Sequence, residues 1–386
     1  MIAPIAGPAR AEGIAAAAGA VAAGAALLAW PAFANGYPLM FSDTGAFLHQ
    51  TLGPLMIWDK PWIYGPFLHL FHWRLTLWLP LAAQALALSH LLWLLQRCTL
   101  GRAIAPVHVA LCGLAALLTA APFSVALLMP DAFAPATVLA LSMLGLAPGR
   151  LGRGERLYLS ALATFAIASH LSHLPLAAAL DRLPMDSDEF LWSPDSPVNR
   201  DASGAPRFLG GAALSAEAGE VVAATLRERP LEVAVAMAGN AWRQFWLVEP
   251  GDTLGPEWLG QIATRLREGF GAREADAFEA TLQARGELRE ALLPMVPPQL
   301  PVLVASLAAL AFAGWRARRD ADARRATFAL AVLVALVANA CATGALSKPH
   351  HRYQARIAWL APVAAALLLL PARPSRARAP MPPRRG

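Results

Sequence analysis

Apolar residues run through this chain in long blocks rather than in the alternation of strands or the narrow stripes of surface helices. About 20 apolar residues in a helix cross a hydrocarbon core. Eight stretches approach or exceed that length: roughly 13–34, 78–96, 104–121, 132–148, 157–180, 298–315, 326–346 and 357–371. Many are rich in Ala and Leu, which suits close helix packing in a bilayer. The pattern predicts an all-α polytopic membrane protein with about 8 transmembrane helices.

Polar blocks divide these spans. Residues 1–180 read as an N-terminal membrane module with a first loop at 35–77. Residues 181–297 read as a mostly helical segment on the same side as that loop. Residues 298–371 form a C-terminal membrane module, and 372–386 an Arg/Pro tail. Within 181–297, the stretch 182–210 is rich in Pro, Asp and Ser and predicts irregular loop. Stretches 211–228 and 257–292 predict short helices. Residues 230–248 resemble a further span, but Glu232, Asn240, Arg243 and Gln244 share an arc of about 120°. Trp242, Phe245 and Trp246 lie opposite, so this stretch predicts an amphipathic helix in the membrane interface.

Basic residues orient the spans. Arg10, the pair Arg97 and Arg102, the group Arg150 to Arg156, the cluster Arg316 to Arg325 and the tail arginines all fall on one side. The positive-inside rule makes that side cytoplasmic, with both termini there. A signal peptide ending at Ala32-Phe33-Ala34 is the competing reading of the first span, but its apolar core exceeds the usual 7–15 residues or so.

Composition agrees with the pattern. The chain of 386 residues is 57% hydrophobic and only 15% charged, where soluble domains carry about 25% charged residues. That excludes a disordered chain and argues against a soluble enzyme. The three cysteines, Cys98, Cys112 and Cys341, make no disulfide framework. The net charge of +6 is absorbed by orientation, and no nucleic-acid motif accompanies it. No P-loop, GxSxG, HExxH or dinucleotide fingerprint is present.

Candidate chemistry sits in the outer loops. Asp43 follows the first span within Asn35 to Gly45. Asp131, after Pro130, is the lone charge between the third and fourth spans. Each competes with a helix N-cap reading. Lys348, His350, His351, Arg352 and Tyr353 fall between the last two spans, against the positive-inside pattern. Lys and Arg there suit a phosphate, and anionic lipid headgroups are the plainer partner. His170 and His173 share one face near the outer end of the fifth span. The pair is too few for a metal site, so no metal ligand is assigned. An aromatic run from Trp58 to Trp78, including Tyr64 and interleaved with Lys60, reads as an interfacial belt or as cover for a lipid tail or sugar.

Together these residues resemble the type C (GT-C) membrane glycosyltransferases. Asn35 to Gly45 is similar to that superfamily's first-loop acidic motif, with Asp43 at the acidic position. Asp59 to Gly65 looks like the stretch that follows it. Pro130-Asp131 is similar in placement to a second acidic site, and His351-Arg352-Tyr353 to a basic-aromatic motif before a late span. The usual adjacent pair of acids is absent, since Ser42 and Thr44 flank Asp43.

The resemblance implies a bacterial inner-membrane enzyme that inverts configuration while moving a sugar from a polyprenyl-phosphate donor to a lipid or glycan acceptor on the outer face. It implies Asp43 and Asp131 as catalytic residues. Lys348, His350, His351 and Arg352 would bind the donor phosphate. Lys60, Tyr64, His170, His173 and Tyr353 would bind substrate. The resemblance assigns no definite cofactor and leaves a divalent cation open. An O-antigen ligase-like transferase, dependent on Arg352 and His350 rather than Asp43, is one alternative. A non-enzymatic lipid or solute carrier is the other, though carriers place ionisable groups nearer mid-bilayer.

Overall fold

A computed structural model describes residues 13–53, 60–169, 195–196, 199–200, 203–205, 215–257 and 259–371. The N-terminal module contains α1 (Ile14–Leu28), α2 (Trp30–Asn35), α3 (Ser42–Leu52), α4 (Tyr64–His72), α5 (Trp78–Leu100), α6 (Ala105–Leu118), α7 (Ala121–Ala126), α8 (Ala134–Leu146) and α9 (Arg153–Ala168). The next segment supplies α10 (Ser215–Glu228), α11 (Pro230–Trp246), α12 (Gly260–Gly269), α13 (Ala272–Glu279) and α14 (Leu288–Leu292). The C-terminal module supplies α15 (Gln299–Arg319), α16 (Ala323–Ala345), α17 (His351–Ala358) and α18 (Leu360–Leu369). Among the described residues there is no strand; Leu39 and Leu127 form an isolated parallel bridge.

Among the described residues, three helical stretches are long and apolar enough to cross a membrane: Trp78–Leu100, Leu288–Arg319 and Ala323–Ala345. That is fewer than the eight expected. The described parts of the other apolar blocks are helical too, in shorter helices, and 170–180 of the fifth block lies outside the described residues. Pro31 lies just past the break at Ala29 that ends α1, because proline removes a donor and clashes with the preceding turn. Thr119 and Ala120 separate α6 from α7, which carries Pro122 in its first turn. The last block breaks at Trp359 into α17 and α18, with Pro362 soon after.

The bundle has two chemically distinct ends. α1 packs against α5 and α6, α8 against α9, and α15 against α16 and α18. At one end Arg97 pairs with Glu155 at 2.5 Å, and Arg150 donates to the Cys98 carbonyl at 2.5 Å. These residues come from two of the basic segments assigned above to a single side. α5, about 35 Å long at 1.5 Å per residue, leads from there to the end where 35–77, 120–131 and 347–356 meet. Leu39 and Leu127 bring the first two loops together: Leu39 N–H donates to Ala126 and Leu128 N–H donates to Leu39, both at 3.0 Å.

Described helices of the segment after α9 pack on both membrane modules. α12 packs on α3, and α11 lies along α16. The arc expected to be the polar face of α11 is split. Gln244 is fully buried, while Trp242 is 66% exposed. Gln244 turns inward because its amide makes both backbone bonds that His350 offers, at 2.8 and 2.9 Å. A Cβ at Gly344 would stand 2.6 Å from the Asn240 carbonyl and from Gln244 Cβ; the missing side chain lets α11 approach α16 so closely. The helix expected to lie in the interface is docked lengthwise on a candidate span.

Candidate functional site

Asp43 sits in the first turn of α3, but it is not the cap. Phe41 is the N-cap residue, and Thr44 at N3 reaches back to it: its Oγ1 accepts from Phe41 N–H at 3.0 Å and donates to the Leu128 carbonyl at 3.0 Å. The Asp43 carboxylate instead meets Lys60 Nζ at 3.1 Å, with side-chain exposures of only 18% and 6%. Asp131 lies in a short 3-10 turn, Pro130–Phe133, with no side-chain cap bond. Its carboxylate meets Arg356 Nη1 at 2.8 Å. Both carboxylates thus face cations and one cavity, not the helix ends that the simpler reading gave them.

That cavity, about 360 Å³ including its mouth, is lined by Asp43, Phe47, Lys60, Pro61, Met129, Pro130, Asp131, Ser169, Arg352, Tyr353 and Arg356. Five sequence-predicted site residues converge here from three loops: Asp43, Lys60, Asp131, Arg352 and Tyr353. A second cleft of about 280 Å³ shares Asp131 and Arg352 with it and is otherwise lined largely by Ala120, Phe123, Leu127, Pro250 and Ala355.

Arg352 is held by ring faces. Its guanidinium lies 4.1 Å from the centre of the Phe41 ring and 5.0 Å from that of Tyr353, as cation–π geometry favours. Burial opposes its charge. Tyr353, Asp131 and Asp43 outweigh that and hold its pKa above the usual arginine range. Its Nη1 is shielded from solvent and has no hydrogen-bond partner.

α17 is aimed by neutral amides. Asn339 on α16 donates to the Tyr353 carbonyl at 2.7 Å and to Gln354 Oε1 at 2.8 Å, and accepts from Arg356 Nη2 at 3.3 Å. Gln354 donates back to the Leu336 carbonyl at 3.1 Å. The Asp252 carboxylate accepts from Arg352 N–H at 3.2 and 3.3 Å, a favourable place for an acid at a helix start.

The first loop is anchored from the other side. Buried Gln283 accepts from Met40 N–H at 2.9 Å and donates to the carbonyls of Met40 and Thr253 at 2.8 and 3.0 Å. Tyr37 donates to Glu274; burial and this carboxylate push the phenol pKa well above its usual value. Sequence reasoning missed Arg356 as a site residue, along with Asn339, Gln244, Gln283 and Asp252. For Arg356 a signal existed, since it falls in the same basic stretch as Arg352.

Several expected site residues are elsewhere. His351 Nδ1 accepts from Glu249 N–H at 3.1 Å, and His350 Nδ1 lies 3.7 Å from Asp252. Both rings help seat the 244–252 stretch and do not line the cavity; nor does Lys348. Tyr64 is fully buried and donates to Gln84 Oε1 at 3.1 Å. It packs with Phe47 and Phe67, part of an aromatic cluster that includes Phe133 and Phe165. Much of the expected aromatic belt is therefore core under the site, whereas Trp62 and Trp73 are exposed. His170, His173, Trp58 and Asp59 lie outside the described residues.

The donor set does not fit a divalent cation. Each cavity carboxylate is engaged by a cationic side chain. No group of three or more His, Cys, Asp or Glu gathers among the described residues. No protein-family model, curated protein or solved structure matches this chain.

Proposed function

We propose that the protein is a membrane glycosyltransferase that takes a sugar from a polyprenyl-phosphate donor and passes it to a lipid or glycan acceptor at the cavity. The observation that carries this reading is the meeting of Asp43, Lys60, Asp131, Arg352 and Tyr353, from three separated loops, in one cavity at one end of an apolar bundle. Such a site offers a carboxylate for an acceptor proton and cations for a phosphate within one enclosure.

In this reading the eight apolar blocks all serve as membrane segments, the broken ones within the bundle. The cavity faces the outer side of a bacterial inner membrane. An acceptor hydroxyl attacks the sugar C1 as Asp43 takes its proton, a contribution typically of about 10²–10⁴-fold. Arg352 stabilises the charge that grows on the leaving phosphate. Asp131, clamped by Arg356, orients the sugar or the acceptor. One carboxylate acting on a single face gives inversion at C1. The second, more apolar cleft beside Arg352 suits the first isoprene units of the donor.

The test is transfer of labelled sugar from a polyprenyl-phosphate-sugar pool in membranes that carry either the wild type or Asp43→Asn. The variant should insert and accumulate normally and lose at least about 10²-fold in transfer. Full transfer by the variant removes Asp43 from the reaction.

A further inference from the structure

This inference rests on the reading that the cavity takes a lipid-linked sugar phosphate, and it concerns Lys60. Three cationic side chains line the cavity. Arg356 is fixed, bound to Asp131 at 2.8 Å and to Asn339 at 3.3 Å. Arg352 is stacked on Phe41 and Tyr353 and has no carboxylate partner among the described residues. Lys60 is bound to Asp43, the group assigned to take the acceptor proton. A lysine carries a point charge on a flexible four-carbon stem, so it changes partners without repacking.

We propose that Lys60 is exchanged between Asp43 and the ligand phosphate: it holds Asp43 in the resting site and moves to the phosphate when Asp43 is neutralised. The step balances. The acceptor oxygen forms a bond to the sugar C1, and the bond from C1 to the phosphate oxygen breaks. The acceptor proton goes to Asp43, and the electron pair of the broken bond stays on the phosphate. The phosphate changes from a monoanionic diester to a monoester of higher charge. Asp43 loses its charge as the phosphate gains one, so the attraction on Lys60 is redirected in the same event. The resting cavity, where carboxylates pair with Lys60 and Arg356 and Arg352 rests on rings and the Tyr353 hydroxyl, suits a monoanion; the cavity with Asp43 neutral suits a dianion.

The experiment is calorimetric titration of the purified full chain in detergent micelles at about pH 8, where a phosphate monoester is dianionic. The probes are farnesyl phosphate and its monoanionic methyl diester. Wild type should favour the diester. Asp43→Asn should shift the affinity ratio by about tenfold or more toward farnesyl phosphate, the size of one added charged contact. Adding Lys60→Met to Asp43→Asn should erase that shift. An unchanged ratio in Asp43→Asn overturns the exchange, and so does a shift that survives loss of Lys60. Both of those results leave the lipid-phosphate reading standing. Binding of neither probe to the wild type removes that reading, and the exchange with it.

Discussion

Replacing Arg356 by Met asks what the Asp131–Arg356 pair does. The two residues are 5% and 8% exposed, and their nearest atoms are 2.8 Å apart. Unit charges about 4 Å apart attract by about 4 kcal/mol at an effective dielectric near 20. Removing one member of a buried pair typically costs about 3–5 kcal/mol, because the other charge stays buried and uncompensated. Arg356→Met also removes a donor from Asn339, whose own bonds aim α17. We therefore expect a loss of about 3–5 kcal/mol. Adding Asp131→Leu should return most of it, since an apolar pair of similar volume is often as stable as the ion pair it replaces. Chemical denaturation in detergent micelles, read by tryptophan fluorescence, gives both values. A loss under about 1 kcal/mol for Arg356→Met, or a double variant no more stable than the single one, would refute the reasoning.

Two further effects follow from the same contacts. Gln283→Leu leaves Met40 N–H and the carbonyls of Met40 and Thr253 unbonded. It should cost about 3 kcal/mol in the same denaturation measurement and loosen the first loop, seen as faster amide exchange at residues 38–44. His72 is fully buried. Burial, then His69 and Arg74, push its pKa down to about 4, and its Nδ1 accepts from Arg74 N–H at 2.8 Å. The folded form thus stays neutral where the unfolded His, near 6.5, takes a proton. The stability this supplies is complete above about pH 6.5 and is lost as pH falls from there to about 4, by at most about 3 kcal/mol. Thermal melting at pH 7 and pH 5 should show this loss in the wild type and a smaller one in His72→Phe.

Charge was legible in this sequence where neutral polarity was not. Asp43, Asp131 and Arg352 stand out because charged residues are rare beside apolar blocks, and the basic residues sorted the loops before any contact was known. The amides that assemble the site had no such contrast. Gln283 bonds Met40 across 243 positions, and Gln244 bonds His350 across 106. Nothing in a mixed-polarity segment marks which glutamine turns inward, so Gln244 reads from sequence as one more member of the polar arc of α11.

The breaks at Ala29, Thr119 and Trp359 were hidden for a different reason. Mean apolarity does not fall there, and a proline shortens a helix without making a block less hydrophobic. A histidine next to an arginine suggests an anion site, but the His351 ring accepts from Glu249 N–H and the His350 ring lies 3.7 Å from Asp252, both outside the cavity lining.

The proposed function requires that the loops around Asp43, Asp131 and Arg352 form one site for a prenyl phosphate. Photolabelling of the full chain in membranes with a benzophenone-bearing farnesyl phosphate tests it most directly, with labelled peptides identified by mass spectrometry. Label is expected on peptides covering 41–61, 120–133 or 351–358, competed by unlabelled farnesyl phosphate and lost in Arg352→Ala. Label confined to other segments, or label on these peptides that survives Arg352→Ala undiminished, would contradict it.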